Sequence, residues 1–465
     1  MSAGALPGFR DFYPTELAER AHIMRAWRSV ARRFGFVEYD GPPLEALELY
    51  TKKSGDEIVG QLYNFTDKGG REVALRPEMT PTVARMVAAR ANALRKPVKW
   101  FSMPQLFRYE RMQRGRLREH FQLNVDIFGE SDVAADAEIL AVALEIMREL
   151  GLNRGEKPDV LARVSDRRLL AALLNALGVP DDAMGIAFAA IDKVEREPRA
   201  TFEKRFSDRG LSREVADRVF DAVHMSDLRT LGNAYGSTPA VREAVDRLQS
   251  YLDTLDALGV APWVRLDLRI VRGLAYYTGI VFELFDAAGE LRAVCGGGRY
   301  DTLLSDLAEV DMPALGFGMG DVVLADLLRE RGLLHVGVEG PDFWLAADEG
   351  APRAAVLRAA SALRGIGCSV DYALRPQSVS KQRKAAYSAG ARYFAALVDP
   401  ARALIAVDPL HAKDDNGASP LGNALPESPV QADQLLAVIR EAPERVSPDL
   451  RERMAGHRSK VKGQS

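Results

Sequence analysis

Segments with the alternating pattern of β-strands flank a long stretch that has almost none, and this arrangement constrains the fold more than any other feature. Residues 165–258 carry the charge-laced apolar spacing of helices. Strand patterns precede them at 99–107 and 121–128, and return after them at 280–286 and 290–295. Strands on both sides of inserted helices predict one mixed, mainly antiparallel sheet with flanking helices, interrupted by a helical insertion.

A second domain is predicted beyond Pro341, where short strands and helices alternate. Strands are predicted at 343–347, 368–373, 393–398 and 404–407, and helices at 351–363, 379–389 and 432–439. This alternation is typical of a small α/β domain. The predicted boundaries are therefore 1–330 for the first domain, 341–440 for the second and 441–465 for a flexible tail.

The remaining elements of the first domain follow from local pattern. Met24, Trp27, Ala31 and Phe34 recur at helical spacing and predict a helix over 17–34. The same approach predicts helices at 80–93, 134–149 and 322–330, and strands at 36–39, 62–66, 72–75, 265–270 and 314–319.

Composition excludes several classes of protein. The chain has 465 residues, with 62 Lys and Arg against 65 Asp and Glu, and a net charge of −3, which excludes a generally basic coat for nucleic acid. Cys295 and Cys368 are too few for a disulfide framework and belong to no CxxC, and the six histidines are scattered, so no metal site is expected. No apolar stretch reaches the ~18 residues of a membrane span, and no secretory signal is visible. A cytoplasmic protein is expected.

An arginine-rich loop is the first candidate for chemistry. Five arginines lie within eleven residues between two predicted strands: Arg108, Arg111, Arg114, Arg116 and Arg118. Guanidinium groups match phosphate oxygens bidentately, so such a loop could clamp a triphosphate. Glu110 would pair with these arginines or contact an adenine amino group. A solvated basic hairpin is the alternative for the loop taken alone.

The strand after this loop has one polar face. Strand periodicity places Gln122, Asn124 and Asp126 on the same side. Within an apolar sheet, such a face indicates a ligand floor, and an amphipathic strand with one solvated face is the alternative.

Three further motifs stand out. The segment Leu75–Thr80 places Glu78 at a helix start, where its carboxylate would cap the helix or receive an ammonium group. An Arg-Gly precedes a tyrosine pair in Val271–Gly279. The glycine runs 296–298 and 316–320 permit close approach to the backbone or form a bulged turn.

In this order, the motifs resemble the histidyl-tRNA synthetase family of class II aminoacyl-tRNA synthetases. The resemblance extends from Gly8 through the second domain, and Leu75–Glu78 and Arg272–Tyr277 are its most specific parts. It implies a class II synthetase-like α+β fold, an anticodon-binding-like C-terminal domain, and a homodimer through the helix 17–34 and its strand. The implied ligands and partners are ATP as substrate, Mg²⁺ with the ATP phosphates, L-histidine and tRNA.

The resemblance also implies residue roles. The implied histidine-binding residues are Glu78, Thr80, Arg108, Gln122, Asp126, Arg272, Tyr276 and Tyr277. Those implied for ATP are Arg108, Glu110, Arg116 and Arg272, and of these Arg108 and Arg272 are the implied catalytic residues. Candidates for tRNA contact in the second domain are Arg375, Lys381, Arg383 and Lys384, with a solvated helix surface as the alternative.

Three positions depart from the family's pattern. Val323 stands where arginine is usual, Ala275 where aspartate is usual, and Asp126 where glutamate is commoner. The lost arginine suits a rival, the non-catalytic histidine-binding regulatory subunit of ATP phosphoribosyltransferase. The complete arginine loop, Arg272 and the C-terminal domain favour an enzyme that ligates L-histidine to tRNA through a histidyl-adenylate. That reaction needs no protein nucleophile.

Overall fold

The structure is a computed structural model that divides the chain into two compact units, residues 1–336 and 337–465. The described residues are 4–51, 59–153, 157–272, 276–289, 291–334, 337–401, 404–411, 421, 429–451 and 453–455. The departure noted at Ala275 lies outside them.

Twelve strands occur in the described part of the first unit. They are β1 Val37–Glu38, β2 Leu44–Ala46, β3 Tyr63–Thr66, β4 Glu72–Leu75, β5 Val98–Ser102, β6 Gln105–Phe107, β7 Glu119–Phe128, β8 Val160–Asp166, β9 Val264–Leu266, β10 Ile280–Asp286, β11 Cys295–Arg299 and β12 Ala314–Gly320. Nine form the main sheet, in the order β1-β5-β7-β12-β11-β10-β8-β9 with β6 beside β7. Only β1–β5 and β8–β9 pair in parallel among these described strands, so the predicted mixed, mainly antiparallel sheet is confirmed. Strands β2, β4 and β3, in that order, form a separate three-stranded sheet.

Helices cover the sheet and form the insertion. They are α1 Pro14–Arg33, α2 Glu48–Thr51, α3 Thr80–Ala88, α4 Val133–Glu149, α5 Arg167–Ala176, α6 Met184–Ile191, α7 Arg199–Ser207, α8 Arg213–Val223, α9 Leu228–Tyr235, α10 Pro239–Ala257, α11 Leu303–Ala308 and α12 Asp321–Glu330. The insertion consists of α5 to α10 and begins directly after Asp166, the last residue of β8. The Asp166 side chain accepts a hydrogen bond from Arg168 N at 2.7 Å. Asp166 therefore acts as the N-cap of α5.

The largest apolar cluster of the first unit lies on one face of the main sheet, and a smaller one that includes Phe128 lies on the other. Leu123, Val125 and Ile127 of β7 are buried in one cluster with Trp27 of α1 and Leu140 of α4. Because strand side chains alternate, the polar residues of β7 must face the other side. The predicted alternation of this strand is thus confirmed, and it leaves the opposite face for the site.

Several predicted boundaries were wrong. The strand 99–107 is two strands, because Pro104 lies between them and has no N–H to donate to the ladder. The strand predicted at 290–295 is instead β11, which contains the glycine run. A Cβ at Gly297 would lie 2.4 Å from the carbonyl oxygen of Gly316, so only glycine fits there. The strand 265–270 ends at Leu266, and the helix 80–93 ends at Ala88.

The second unit is an α/β fold around its own five-stranded sheet. Its strands are β13 Phe343–Ala347, β14 Val370–Tyr372, β15 Tyr393–Asp399, β16 Leu404–Pro409 and β17 Val430–Gln431, in the order β14-β13-β15-β16-β17. Its helices are α13 Arg353–Gly365, α14 Val379–Ser388 and α15 Ala432–Glu441. The predicted flexible tail starts too early, because Val446, Leu450 and Met454 are buried in this core.

Candidate active site

On the face of the main sheet that carries the polar residues of β7, glycines of β11 and β12 lie opposite acidic residues of the neighbouring strands and form a glycine floor. Gly316 of β12 pairs with Asp126 of β7, and Gly296 of β11 pairs with Glu283 of β10. A Cβ at Gly316 would lie 2.3 Å from Asp126 Oδ1, and one at Gly318 would lie 2.8 Å from Gln122 Cδ. The missing side chains therefore make the space in which the polar side chains lie.

One end of this floor is closed by a buried polar cluster, which consists of Glu78, Asp126, Tyr276, Tyr277 and Tyr300. The Tyr300 hydroxyl donates to Asp126 Oδ1, while Asp126 Oδ2 is buried with no hydrogen-bond partner among the described residues. Burial raises the pKa of Asp126 to about 7, against the smaller effect of Tyr300.

The tyrosine pair joins this cluster to the start of α3. The Tyr276 hydroxyl donates to Glu78 Oε2 at 3.3 Å and is also hydrogen-bonded to Thr80. The rings of Tyr276 and Tyr277 have centroids 5.1 Å apart. The predicted residues Glu78, Thr80 and the tyrosine pair, which come from distant parts of the sequence, are thus brought together.

Arg272 lies at the boundary of the buried cluster, held by its backbone as well as its side chain. Its φ of 64° is unusual for a residue with a Cβ, and Arg167 Nη1 donates to the Val271 carbonyl oxygen at 3.0 Å beside it. Its Nη1 donates to Glu283 Oε1 at 2.5 Å, and its Cζ is 5.6 Å from the centre of the Tyr277 ring. The guanidinium crosses Gly296, where a Cβ would lie 1.9 Å from Nη1.

The other side of the site is an arginine wall, formed by Arg108, Glu110 and Arg116. Arg108 Nε donates to the Pro77 carbonyl oxygen at 2.9 Å, which ties the wall to the segment before α3. Glu110 lies 2.9 Å from Arg116 Nη1 and 3.8 Å from Arg108 Nη1. Of its two predicted roles, Glu110 is seen in the first, as the ion-pair partner of the arginines.

A cavity of about 890 Å³ lies between the arginine wall and Arg272. The predicted site residues that line it are Arg108, Glu110, Arg116, Gln122 and Arg272. Val323, at the position of the missing arginine, also lines it. Glu78, Thr80, Asp126, Tyr276 and Tyr277 do not line this cavity but lie together next to Arg272.

Sequence reasoning missed the residues that hold the predicted ones in place. Glu283 pairs with Arg272, and Tyr300 donates to Asp126. Arg10 lies 2.6 Å from Glu119 and 2.9 Å from Asp321, and Asp321 accepts from Phe121 N at 2.9 Å. Strand alternation would have placed Glu283 on the same face as the glycines, but nothing in the sequence indicates the long-range pairs.

The described residues hold neither a cluster of metal ligands nor a helix that could span a membrane. In that part of the chain, no group of three or more His, Cys, Asp or Glu side chains could hold a metal ion. None of the described helices is long and apolar enough to cross a membrane.

Comparison with known proteins identifies the family. The sequence profile described as histidyl-tRNA synthetase matches residues 8–321. The chain belongs to the histidyl-tRNA synthetase family. It is 46% identical over 393 residues to the histidine–tRNA ligase of Opitutus terrae, covering 83% of this chain and 89% of that protein. It is 40% identical over 386 residues to the chloroplastic/mitochondrial histidine–tRNA ligase of Arabidopsis thaliana, covering 83% and 78%.

Solved structures of the family share the fold. Histidyl-tRNA synthetase from Nostoc sp. PCC 7120 superposes with a TM-score of 0.77 at 22% identity, over 95% of this chain and all of that one. A Bacillus halodurans protein described as an ATP phosphoribosyltransferase regulatory subunit/histidyl-tRNA synthetase gives 0.68 at 22% identity, over 85% and 97%. The class II synthetase-like α+β fold predicted from the sequence is therefore confirmed.

Proposed function

We propose that this chain is a histidine–tRNA ligase, which activates L-histidine with ATP and transfers it to tRNA. The observation that carries the proposal is the meeting of Arg108 and Arg272, from two distant parts of the sequence, at one cavity beside a buried polar cluster. Family membership supports the same reaction, since the relatives named above are histidine–tRNA ligases.

In the first step, an oxygen of the histidine carboxylate bonds to the α-phosphorus of ATP, and the bond to the bridging oxygen breaks to release pyrophosphate. The transition state carries extra negative charge on the α-phosphate. Arg108 and Arg272 line the cavity as cations that are held in place by Pro77 and Glu283, so they stabilise this charge without reorganising. In the second step, a terminal ribose hydroxyl of tRNA attacks the histidyl carbonyl carbon, loses its proton and displaces AMP.

The buried polar cluster is the proposed site for the amino acid. Asp126 Oδ2 has no partner within the described structure, so the ionised carboxylate can accept a hydrogen bond there from an imidazole N–H, next to Tyr277. Glu78, with Thr80 and Tyr276 beside it, offers a carboxylate to the α-ammonium group, which Gln122 also contacts. Buried polar groups that a wrong substrate leaves unpaired reject it strongly, by ~10⁴-fold in favourable cases.

In this proposal, Mg²⁺ binds together with ATP and not at a site formed by the protein alone. Four of the five carboxylates that line the cavity are each paired with an arginine, namely Glu110, Glu195, Glu283 and Asp286. No group of three or more possible metal ligands is found among the described residues. The ion would therefore be held mainly by phosphate and water oxygens, where it screens the charge of the phosphates.

The proposal also includes tRNA contacts by the second unit and assembly into a homodimer. Arg375, Lys381 and Lys384 are exposed, whereas Arg383 is paired with Asp408 and is a weaker candidate. Apolar side chains are exposed on and near α1 and β1, at Tyr13, Leu17, Val37 and Leu44, as a dimer surface requires. Sedimentation equilibrium tests the dimer, with a monomer at micromolar concentration as the contrary result.

Histidine-dependent exchange of pyrophosphate into ATP tests the reaction. We expect exchange in the wild type, no exchange without histidine, and a loss of at least ~10²-fold in Arg272→Ala, as for one transition-state donor. Arg265→Ala is the matched control, because Arg265 is exposed and does not line the cavity. A wild type that binds histidine without exchange would instead be the regulatory subunit that the sequence left as the alternative.

A further inference from the structure

The arginines that line the cavity differ in whether a carboxylate neutralises them. Five have carboxylate partners in the described structure: Arg108, Arg116, Arg163, Arg269 and Arg272. Arg196 and Arg292 also line the cavity, yet neither makes a side-chain hydrogen bond or ion pair with any described residue. A cation without a partner in a cavity is available to a ligand.

Arg292 occupies a particular place, on the connection between β10 and β11. A Cβ at Gly115, in the arginine loop, would lie 3.0 Å from Val323 Cγ2 and 4.0 Å from Arg292 Cδ. The stem of Arg292 therefore packs over the same glycine as Val323, on the wall that carries Arg116. The two side chains are neighbours although they come from different elements.

The charges around Arg292 favour an anion. Burial lowers its pKa, and so do the positive charges of Arg116 and Arg196, while only the carboxylate of Glu110 opposes them. Glu110 is already shared between two other arginines. Cations that crowd together with too few carboxylates bind polyanions such as a triphosphate.

We propose that Arg292 binds the outer phosphates of ATP, and pyrophosphate in the reverse reaction. It does so from the same wall as Val323, whose side chain carries no charge. The inference rests on the proposed function, and it concerns a residue outside the motifs that the sequence singled out. Arg108 and Arg272 hold the α-phosphate in the proposed reaction. Arg292, beside Arg116, is left to contact the β- and γ-phosphates.

The test uses the purified full-length protein in pyrophosphate exchange without tRNA, so that tRNA phosphates cannot contribute. In Arg292→Gln, we expect the KM values for ATP and pyrophosphate to rise ~10-fold, the loss of one charge-assisted hydrogen bond. The KM for histidine and the affinity for AMP, which lacks the outer phosphates, should stay within twofold. Arg265→Gln is the control for the loss of an exposed arginine.

A second variant separates binding from a structural effect. Val323→Arg in the Arg292→Gln background returns a guanidinium to the same wall, and we expect it to recover at least part of the affinity for ATP. Unchanged KM values for ATP and pyrophosphate in Arg292→Gln, or an equal loss of AMP affinity, would overturn the inference. Absence of exchange in the wild type would overturn the proposed function instead, so the two failures are distinguishable.

Discussion

The buried polar cluster and the arginine wall belong to one site but differ in how far their side chains are exposed to solvent. Asp126 and Tyr276 are almost inaccessible to solvent, whereas the side chains of Arg108 and Arg116 are 26% and 40% exposed. Hydrogen bonds in the cluster join groups in a low-dielectric interior, where an unpaired partner is costly. The two arginines of the wall stay in contact with water, and in the proposed function they exchange Glu110 for phosphate. The comparison suggests selectivity in the cluster and adaptable anion binding at the wall.

The largest effect is expected at Gly296, where the two regions meet. In Gly296→Ala, the new Cβ would occupy the position of the Arg272 guanidinium, 1.9 Å from Nη1 in the present structure. The three nearest atoms all belong to that flexible side chain, so we expect Arg272 to move and the fold to remain. We expect the kcat for pyrophosphate exchange to fall by ~10² or more, with little change in melting temperature.

Two other glycines serve as controls for this substitution. Gly185→Ala introduces a Cβ with nothing within 4 Å and should leave exchange unchanged. Gly316→Ala meets backbone as well as Asp126, at 2.6 Å from the Val125 carbonyl oxygen, and should lower stability too. Normal exchange in Gly296→Ala would show that the position of Arg272 is not critical.

The substitution Asp126→Asn tests the buried polar cluster through the pH dependence of the free energy of unfolding. The folded pKa of Asp126 is about 7, and a carboxyl in the unfolded chain titrates near ~3.9. Between these values the native state holds a proton that the unfolded state has lost, so the free energy of unfolding falls as pH rises. Relative to Asp126→Asn, the wild type should lose about 1.4 kcal/mol per pH unit between pH 5 and 6.5.

Urea unfolding of the wild type and Asp126→Asn across this pH range measures the difference in their free energies of unfolding. The contributions of all other titrating groups are the same in both proteins and cancel. The asparagine keeps an oxygen for the Tyr300 hydroxyl, so packing is preserved. A difference that does not change with pH would mean that Asp126 is ionised in the folded protein throughout.

The sequence predicted many of the site residues but few of the residues that hold them in place. The alternation of apolar and polar residues along 121–128 was sufficient to predict the polar face of β7. The order of the motifs, through the family resemblance, was sufficient to predict the fold. The glycine run of β11 was not recognised as a strand, because glycine has low strand propensity and its reason for being there is Arg272, a contact made only in the folded chain. The pairs of Arg272 with Glu283 and of Asp126 with Tyr300 have no local signal either.

Tyr276→Phe should have an intermediate effect, confined to the amino acid. It removes the hydroxyl that donates to Glu78 at 3.3 Å, a bond to a charged group worth ~1.5–3 kcal/mol. The KM for histidine should rise ~10-fold or more while the KM for ATP is unchanged. Tyr387→Phe, at an exposed tyrosine of the second unit, is the control. Equal changes in both KM values would contradict the division of roles between cluster and wall.

The smallest effect is expected in the wall itself, at Glu110→Gln. The variant removes a charge that Arg108 and Arg116 share. The Glu110 side chain is only 9% exposed, but Gln keeps its shape and both arginines reach solvent, which replaces the lost charge. The free energy of unfolding should therefore change by less than ~1 kcal/mol, as for ion pairs in which the cation stays solvated. Chemical denaturation of Glu110→Gln beside Glu72→Gln, a hairpin position outside the cavity, measures this change. A loss above ~2 kcal/mol would mean that the wall is held as rigidly as the buried cluster, and that the contrast between the two regions does not hold.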